Sequence, residues 1–530
     1  MSDFRRAVLL GLLMLIGMML FNAWTAEHAP IAIQPSTQSI SAVQTQATST
    51  TTLTTTKNVS IAQNIPQRFT ALTTDSLEAT FDKLGGNLVG IKLLKYPVSI
   101  SEKNNPITLL NTDSKTLYIA TSGFANDLMN TQSVVFDATA SKDKIILKGQ
   151  TQNGLLITKT YTFSPNDYVI SLTQQIDNQS NQAWQGHNIA ELQRTPPPST
   201  GMGPFNFNTY SGGAISSPEK RYEKISFKEM SNNNLDKNIQ NGWIAMIQHY
   251  FLSAIIPDPK QNFHYYSSTN NDVYALGIES PLIKLEPHQS YSATQQLYVG
   301  PAEADRLAAI APGLNLTVDY GVLWFIAQII FTVMKKIHSV VGNWGWSIVL
   351  VTLLIKIVFY KLNAISFKSM AKMRDIQPKI EQIRERCGDD RQKLAQATME
   401  LYRREKVNPM GGCLPLLVQI PVFLSLYWVI IESVELRQAP FIFWIHDLSL
   451  KDPYYVLPIL MGITIFIQQA IGPKAPDPTQ RKIMMAMPVV FTALFLSFPA
   501  GLVLYWVVNN TLSILQQWYI MKHVVSKKSS

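Results

Sequence analysis

An α-helical polytopic membrane core of five spans, with an N-terminal anchor span and a large antiparallel β-sandwich outside the membrane, is the fold class predicted by three observations. Apolar runs of spanning character crowd the chain after Gly321, whereas before about Gly313 only Ala7–Phe21 is comparably apolar. Between Arg68 and Val299 apolar residues alternate with period two. Lys and Arg gather in loops beside the apolar segments, where they act as topology signals.

With 530 residues, the chain has room for two or three units, and its 46% hydrophobic content averages two unlike halves. The formal charge of +9 does not imply a nucleic-acid target, because no basic stripe with interleaved aromatics occurs. Cys387 and Cys413 are the only cysteines, so the first half carries no disulfide framework. CxxC, HExxH and GxxxxGK[ST] are all missing, which argues against a metal site, a Walker-type ATPase and any cofactor.

The first segment, residues 1–26, reads as an uncleaved transmembrane anchor. Arg5 and Arg6 precede Ala7–Phe21, which extends to an interfacial Trp24, and cleavage after Ala26 would put that tryptophan at the −3 position. Residues 27–65 form a Thr/Ser/Gln-rich tether; Thr48–Thr56 is all threonine except Ser49 and Leu53, too polar to offset its ordering entropy. Residues 66–310 read as the sandwich. Leu155, Ile157, Tyr161 and Phe163 share one face, Ser164-Pro165-Asn166-Asp167 marks a turn, and Tyr168, Ile170, Leu172 and Ile176 resume that face: a β-hairpin. His187, His249 and His264 have no acid or nucleophile partner visible in the sequence and read as structural.

Asp319–Val341 carries Gln328, Thr332, Lys335 and Ser339 at helical spacing, and its uncharged part, Tyr320–Met334, amounts to roughly 22 Å of helix. That is short of a hydrocarbon core of about 30 Å, so 319–341 is expected to be an interfacial amphipathic helix. The core then occupies 342–525, with spans near Asn343–Leu362, Leu414–Ile431, Tyr454–Ile471, Ile483–Phe498 and Leu502–Ile520. Loop 363–413 is strongly basic, whereas 432–453 carries only Arg437 and Lys451. The basic loop therefore faces the cytoplasm, which puts both termini inside and 66–310 outside. Loop 363–413 itself reads as a helical hairpin: Met370, Met373, Ile380 and Ile383 recur helically, Gly388 stops the first helix, Asp389 or Asp390 caps the second, and Leu394, Ala397 and Leu401 continue it.

Lys356 lies inside the first core span, where a charge costs about 2.5–3.5 kcal/mol on insertion scales and so suggests function. It could instead snorkel, since Leu362 is about 9 Å away at helical rise. Thr352, Gln419, Tyr427, Gln468, Gln469, Tyr505, Asn509 and Asn510 also lie within spans; each could be a packing contact, and together they permit a wet cavity.

The stretches Gly342-Asn343-Trp344-Gly345, Met370-Ala371-Lys372-Met373-Arg374, Gln377-Pro378-Lys379-Ile380, Lys406-Val407-Asn408-Pro409, Gly411-Gly412-Cys413, Val434 to Phe441 and Pro499 to Trp506 give residues 320–525 a specific resemblance. The chain resembles the YidC/Oxa/Alb family of membrane-protein insertases, in the layout of its Gram-negative members. The resemblance implies an inner-membrane insertase and folding chaperone, not an enzyme, with the large domain in the periplasm. It also implies a hydrophilic groove among the five spans, open to cytoplasm and lipid and closed outside. Lys356 takes the position of the family's groove arginine, keeping the charge without the planar fork. Thr352 and Trp506 match positions associated with substrate contact, Trp506 replacing a tyrosine, and Phe423 falls on a lipid-facing substrate slide. Gln419 and Tyr505 complete the expected groove. Implied partners are nascent membrane proteins, the ribosome, the Sec translocon with its accessory subunits, and membrane lipids. A transporter of an anionic solute is the main alternative, although no internal repeat supports it; a glycan-acting envelope enzyme is a third.

Overall fold

The computed structural model describes residues 67–126, 129–197, 209–388, 390–405, 407, 414–472, 478–520 and 522. The expected anchor (1–26) and tether (27–65) lie outside the described residues.

Period-two alternation becomes a sandwich because each strand can then bury one face against the opposite sheet. Among the described residues one sheet has eleven strands and the other nine, all paired antiparallel. The expected hairpin pairs Leu155–Phe163 with Val169–Asn178, placing Ile170 opposite Phe163 and Ile176 opposite Ile157. Leu155, Ile157, Tyr161, Phe163, Tyr168, Ile170, Leu172 and Ile176 are all buried.

One residue of that inward face is charged. Lys159 is fully buried and crosses from its own sheet to the other. Its Nζ donates to the Gly85 carbonyl at 2.6 Å and to the Ser122 carbonyl, with Ser122 Oγ at 3.3 Å and the Phe136 ring centroid at 5.3 Å. Gly86, at φ +63°, gives the turn its close approach, since a Cβ there would meet the Lys159 stem and the Phe136 ring.

A short helix α1 (Phe227–Asn232) carries a capping box, and α2 (Ala304–Ile310) leads out of the sandwich. The helical part follows: α3 (Trp324–Val341), α4 (Trp344–Val358), α5 (Tyr360–Asp375), α6 (Gln377–Cys387), α7 (Arg391–Arg404), α8 (Leu414–Glu432), α9 (Val456–Ile471), α10 (Pro478–Phe495) and α11 (Ala500–Ile520). Gly342, at φ +69°, ends α3, and the Asn343 side chain caps α4 by accepting from Trp346 N. In the hairpin, Gly388 ends α6 and Asp390 caps α7, accepting from Gln392 N and Lys393 N. A small core of Ile376, Ile380 and Val407 joins the two helices.

The structure differs from expectation at the first core span. The stretch Asn343–Leu362 is not one rod: α4 ends at Val358, and α5 leaves it at 69°. Fifteen residues give α4 about 22 Å. The 21-residue helix Gly321–Val341, by contrast, is long and apolar enough to cross a membrane by length and composition alone.

The sandwich sits on the helices through polar contacts. Arg437 Nη2 donates to the Pro97 and Val98 carbonyls at 2.8 and 3.0 Å, and Gln438 Nε2 to Pro97 O at 3.0 Å. His249 Nε2 lies 2.8 Å from Ile431 O, Lys335 pairs with Asp305 at 2.6 Å, and Lys224 pairs with Asp319.

Burial pushes the Lys159 pKa down to about 7. An unfolded lysine titrates near 10.4, so between these values the unfolded chain binds more protons and stability rises with pH. Lys159→Met strands two carbonyls, at about 1–3 kcal/mol each, and removes this titration. Thermal melts of the full-length protein in detergent should show a Met variant that is less stable at pH 7, with a deficit that grows toward pH 9.5. A deficit independent of pH would mean that the ammonium stays charged in the folded domain.

Candidate functional site

Lys356 is two residues from the end of α4 and points into the bundle. Its Nζ donates to Ser513 Oγ on α11 at 2.7 Å, and that hydroxyl donates to Asn509 O at 2.8 Å. On α11, Tyr505, Asn509, Ser513 and Gln516 recur at intervals of four, four and three, so they form one polar stripe along the helix. The facing stripe is Thr352 and Lys356 on α4 with Asn363 on α5. Asn363 Nδ2 lies 3.5 Å from Gln516 Oε1, and Gln419 Nε2 on α8 lies 3.4 Å from Tyr505 Oη. Among the described residues no carboxylate pairs with Lys356.

Between the stripes lies a narrow cleft of about 20 Å³, lined by Ile355, Lys356, Phe359, Asn363, Val418, Gln419, Val422, Tyr505 and Asn509. That is room for about one water. A much larger cavity, about 650 Å³, lies in the sandwich around Gln174, Asn188 and Trp243, away from these residues.

The cleft therefore gathers three of the expected residues, Lys356, Gln419 and Tyr505. Thr352 does not line it; it is buried one turn along α4, with its hydroxyl on Ile348 O at 2.6 Å. Trp506 and Phe423 form a separate aromatic group, with ring centroids 5.3 Å apart and Phe495 at 5.8 Å from Trp506. Ser513 and Asn363 were not singled out from the sequence. The signal for Ser513 was there, because it falls one turn after Asn509 on the same face.

In the sandwich, two histidines do find acids. Glu279 lies 3.4 Å from both His187 Nδ1 and His264 Nδ1, and His264 Nε2 lies 2.9 Å from Asp236. These partners come from separate strands, and only strand pairing brings them together.

The end of the bundle facing the sandwich is sewn shut by the 432–455 loop. Buried Asp452 accepts from Trp444 Nε1, Tyr454 N and Leu457 N at 2.8–3.0 Å. Ala500 N and Gly501 N donate to Leu450 O and Leu448 O, and Asn343 Nδ2 donates to Phe441 O at 3.1 Å.

Residues 70–333 match the family described as the YidC periplasmic domain, and residues 336–528 the family described as 60Kd inner membrane protein. The fold and its helical core thus define a membrane protein insertase of the inner membrane, with its β domain in the periplasm. Membrane protein insertases YidC of Coxiella burnetii and Legionella pneumophila are each 45% identical to it over 99% of this chain and 98% of theirs. That of Nitrosococcus oceani is 43% identical over 98% of both. The chain belongs to the YidC family. Membership makes it an insertase of membrane proteins and not an enzyme.

The outer seal has a direct test. Gly345 packs so closely on Phe441 that a Cβ would overlap the ring. Gly345→Val should displace the ring, destabilise the contact by about 1–3 kcal/mol and make the outer end of α4 protease-sensitive. Unchanged proteolysis and insertion would show that this contact does not hold the seal.

Proposed function

We propose that this insertase receives the polar extracytoplasmic tail of a client in the cleft beside Lys356, while the client's transmembrane segment passes into lipid along the Phe423 and Trp506 side. The observation that carries this reading is an ammonium held inside a helical bundle on a neutral hydroxyl. An acidic tail supplies the missing counter-charge, and it need cross only part of the low-dielectric layer. Apolar burial drives the segment sideways, and movement of negative charge to a positive exterior adds about 2.3 kcal/mol per charge per 100 mV. The cleft is narrower than a polypeptide, so entry requires α8 and α11 to part. Pro421 inside α8 supports this, since it removes one helical hydrogen bond beside Gln419.

We assign both termini and the 363–413 hairpin to the cytoplasm, where the Lys and Arg residues of α6 and α7 suit the ribosome, and we place the Sec translocon among the partners with which the protein works. We take α3 to be interfacial despite its length. Tyr320, four residues before α3 begins, places its Oη 3.3 Å from Ser433 Oγ, and Lys335, six residues before α3 ends, places its Nζ 3.8 Å from Glu435. One short stretch after α8 thus meets both the lead-in to α3 and its body, which supports a helix laid across the bundle's outer end.

Two experiments test this. In a Cys413→Ser background, Cys387 should react with a membrane-impermeant thiol reagent in inverted vesicles and not in intact cells; the opposite pattern overturns the orientation. Lys356→Arg should retain insertion, whereas Lys356→Glu should impair it most for acidic-tailed clients and a neutral residue should give an intermediate defect. If well-accumulated Lys356→Leu inserts acidic-tailed and neutral-tailed clients as well as the parent, the electrostatic role is wrong.

A further inference from the structure

The position of Lys356 poses a problem that its own helix does not solve. It lies two residues before the end of α4, about 4.5 Å of rise from the break at Phe359. Four methylenes of reach would let the ammonium leave the cleft for headgroups or water, which is the conformation favoured by solvation. In the structure it turns inward, and the group it meets is Ser513.

We propose that Ser513 is the positioning residue that holds the Lys356 ammonium in the cleft, and so makes insertion selective for acidic client tails. This rests on the reading of Lys356 given above. The chemistry is directional. Ser513 Oγ donates its proton to Asn509 O one turn earlier, so its lone pairs face outward and can only accept. An ammonium, which has three donors and no acceptor, is the partner such a hydroxyl suits. The bond occupies one of the three. Two remain for a client carboxylate, and the neighbouring groups Gln419, Tyr505, Asn363 and Asn509 are neutral, so none supplies the counter-charge that a carboxylate would. An aspartate at Ser513 would pair with the lysine outright and cancel the attraction; an alanine would release it. A neutral hydroxyl does neither.

Below the lysine, Asn363 on α5 meets Gln516 on α11, and Gln516 Nε2 is turned toward the Tyr360 carbonyl at 3.4 Å. Their amide oxygens are the next acceptors an ammonium would find on its way out. Ser513 is therefore the residue whose loss lets the side chain swing outward without unfolding α4.

The test compares one single-span client carrying two aspartates in its extracytoplasmic tail with the same client carrying asparagines. Each is presented to vesicles containing full-length insertase. A hydrogen bond to a charged group is worth about tenfold or more in conformer population, so Ser513→Ala should lower insertion of the acidic client by about threefold to tenfold and barely affect the neutral one. Ser513→Thr, which keeps the hydroxyl, should restore it. Adding Ser513→Ala to Lys356→Leu should cause no further loss. A second readout follows the amine itself: acylation of Lys356 by a water-soluble reagent in inverted vesicles should rise in Ser513→Ala and return to the parent level in Ser513→Thr. If Lys356→Leu discriminates between the clients but Ser513→Ala does not, and Lys356 acylation is unchanged, the positioning role is overturned while the function of the lysine stands. Equal losses for both clients in Ser513→Ala would also overturn it, marking a general packing defect. If Lys356→Leu itself fails to discriminate, the underlying reading of the cleft falls with it.

Discussion

A cation enclosed by apolar helices must find its hydrogen bonds inside the protein, and much of the helical half follows from that requirement at Lys356. Its partner is on the last helix, so α11 must keep a polar stripe facing α4 over several turns. That stripe has to satisfy itself elsewhere: Ser513 bonds its own backbone and Gln419 approaches Tyr505 from α8, while on a neighbouring face Asn510 reaches Thr464 on α9 at 3.3 Å. The Asn510–Thr464 and Gln419–Tyr505 pairs each fix one helix against another. The polar interior thus doubles as the framework that sets helix spacing where apolar packing alone would be weakly directional.

A second lysine, Lys159, is buried outright, and the contrast is instructive. Lys159 is surrounded by the Gly85, Gly86 and Ser122 carbonyls, so its donors are used within the sandwich and it ties two sheets together. Lys356 has one oxygen partner and a cleft beside it. Two side chains of the same type are caged in one case and left with spare donors in the other. Lys159 is fully buried and Lys356 half-buried, and the number and kind of acceptors separate them further.

Much of the architecture was legible because it rests on periodicity and capping. The hairpin from Leu155 to Asn178, the Gly342-Asn343 junction, and the Gly388 stop followed by the Asp390 cap are local signals, and the chain obeys them. What escaped was non-local. Lys159 interrupts an apolar face only at one position, and its acceptors are backbone atoms some 37 and 74 residues away. Glu279 joins His187 and His264 through strand pairing alone. The bend at Phe359 has no glycine or proline to announce it. At the cleft, Lys356, Gln419 and Tyr505 stood out as polar groups in apolar runs, but a single serine on a helix is usually bland. Its significance depended on knowing which helix faces α4.

The two ends of the bundle are built on unlike principles, and that asymmetry gives a direction to the proposed route. On the periplasmic side the 432–455 loop is dense with fixed partners: Asp452 gathers three donors, Gly345 admits Phe441 without clearance, and Arg437 and His249 bind the sandwich to the loop and to α8. On the other side α4 stops after about four turns and the chain turns away at 69°. On the proposed route, a polar cleft beside such a short helix would meet water after only part of the membrane's thickness, with the hydrogen-bonded loop across its far end. A tail drawn to Lys356 from the short side has already passed the less obstructed portion of the barrier. What remains is the stretch beside α4 from Lys356 to its outer end, about 18 Å of helix, across which the membrane potential favours an acidic group. An ammonium at the same depth in a bundle sealed equally at both ends would attract the same tail without giving it a direction.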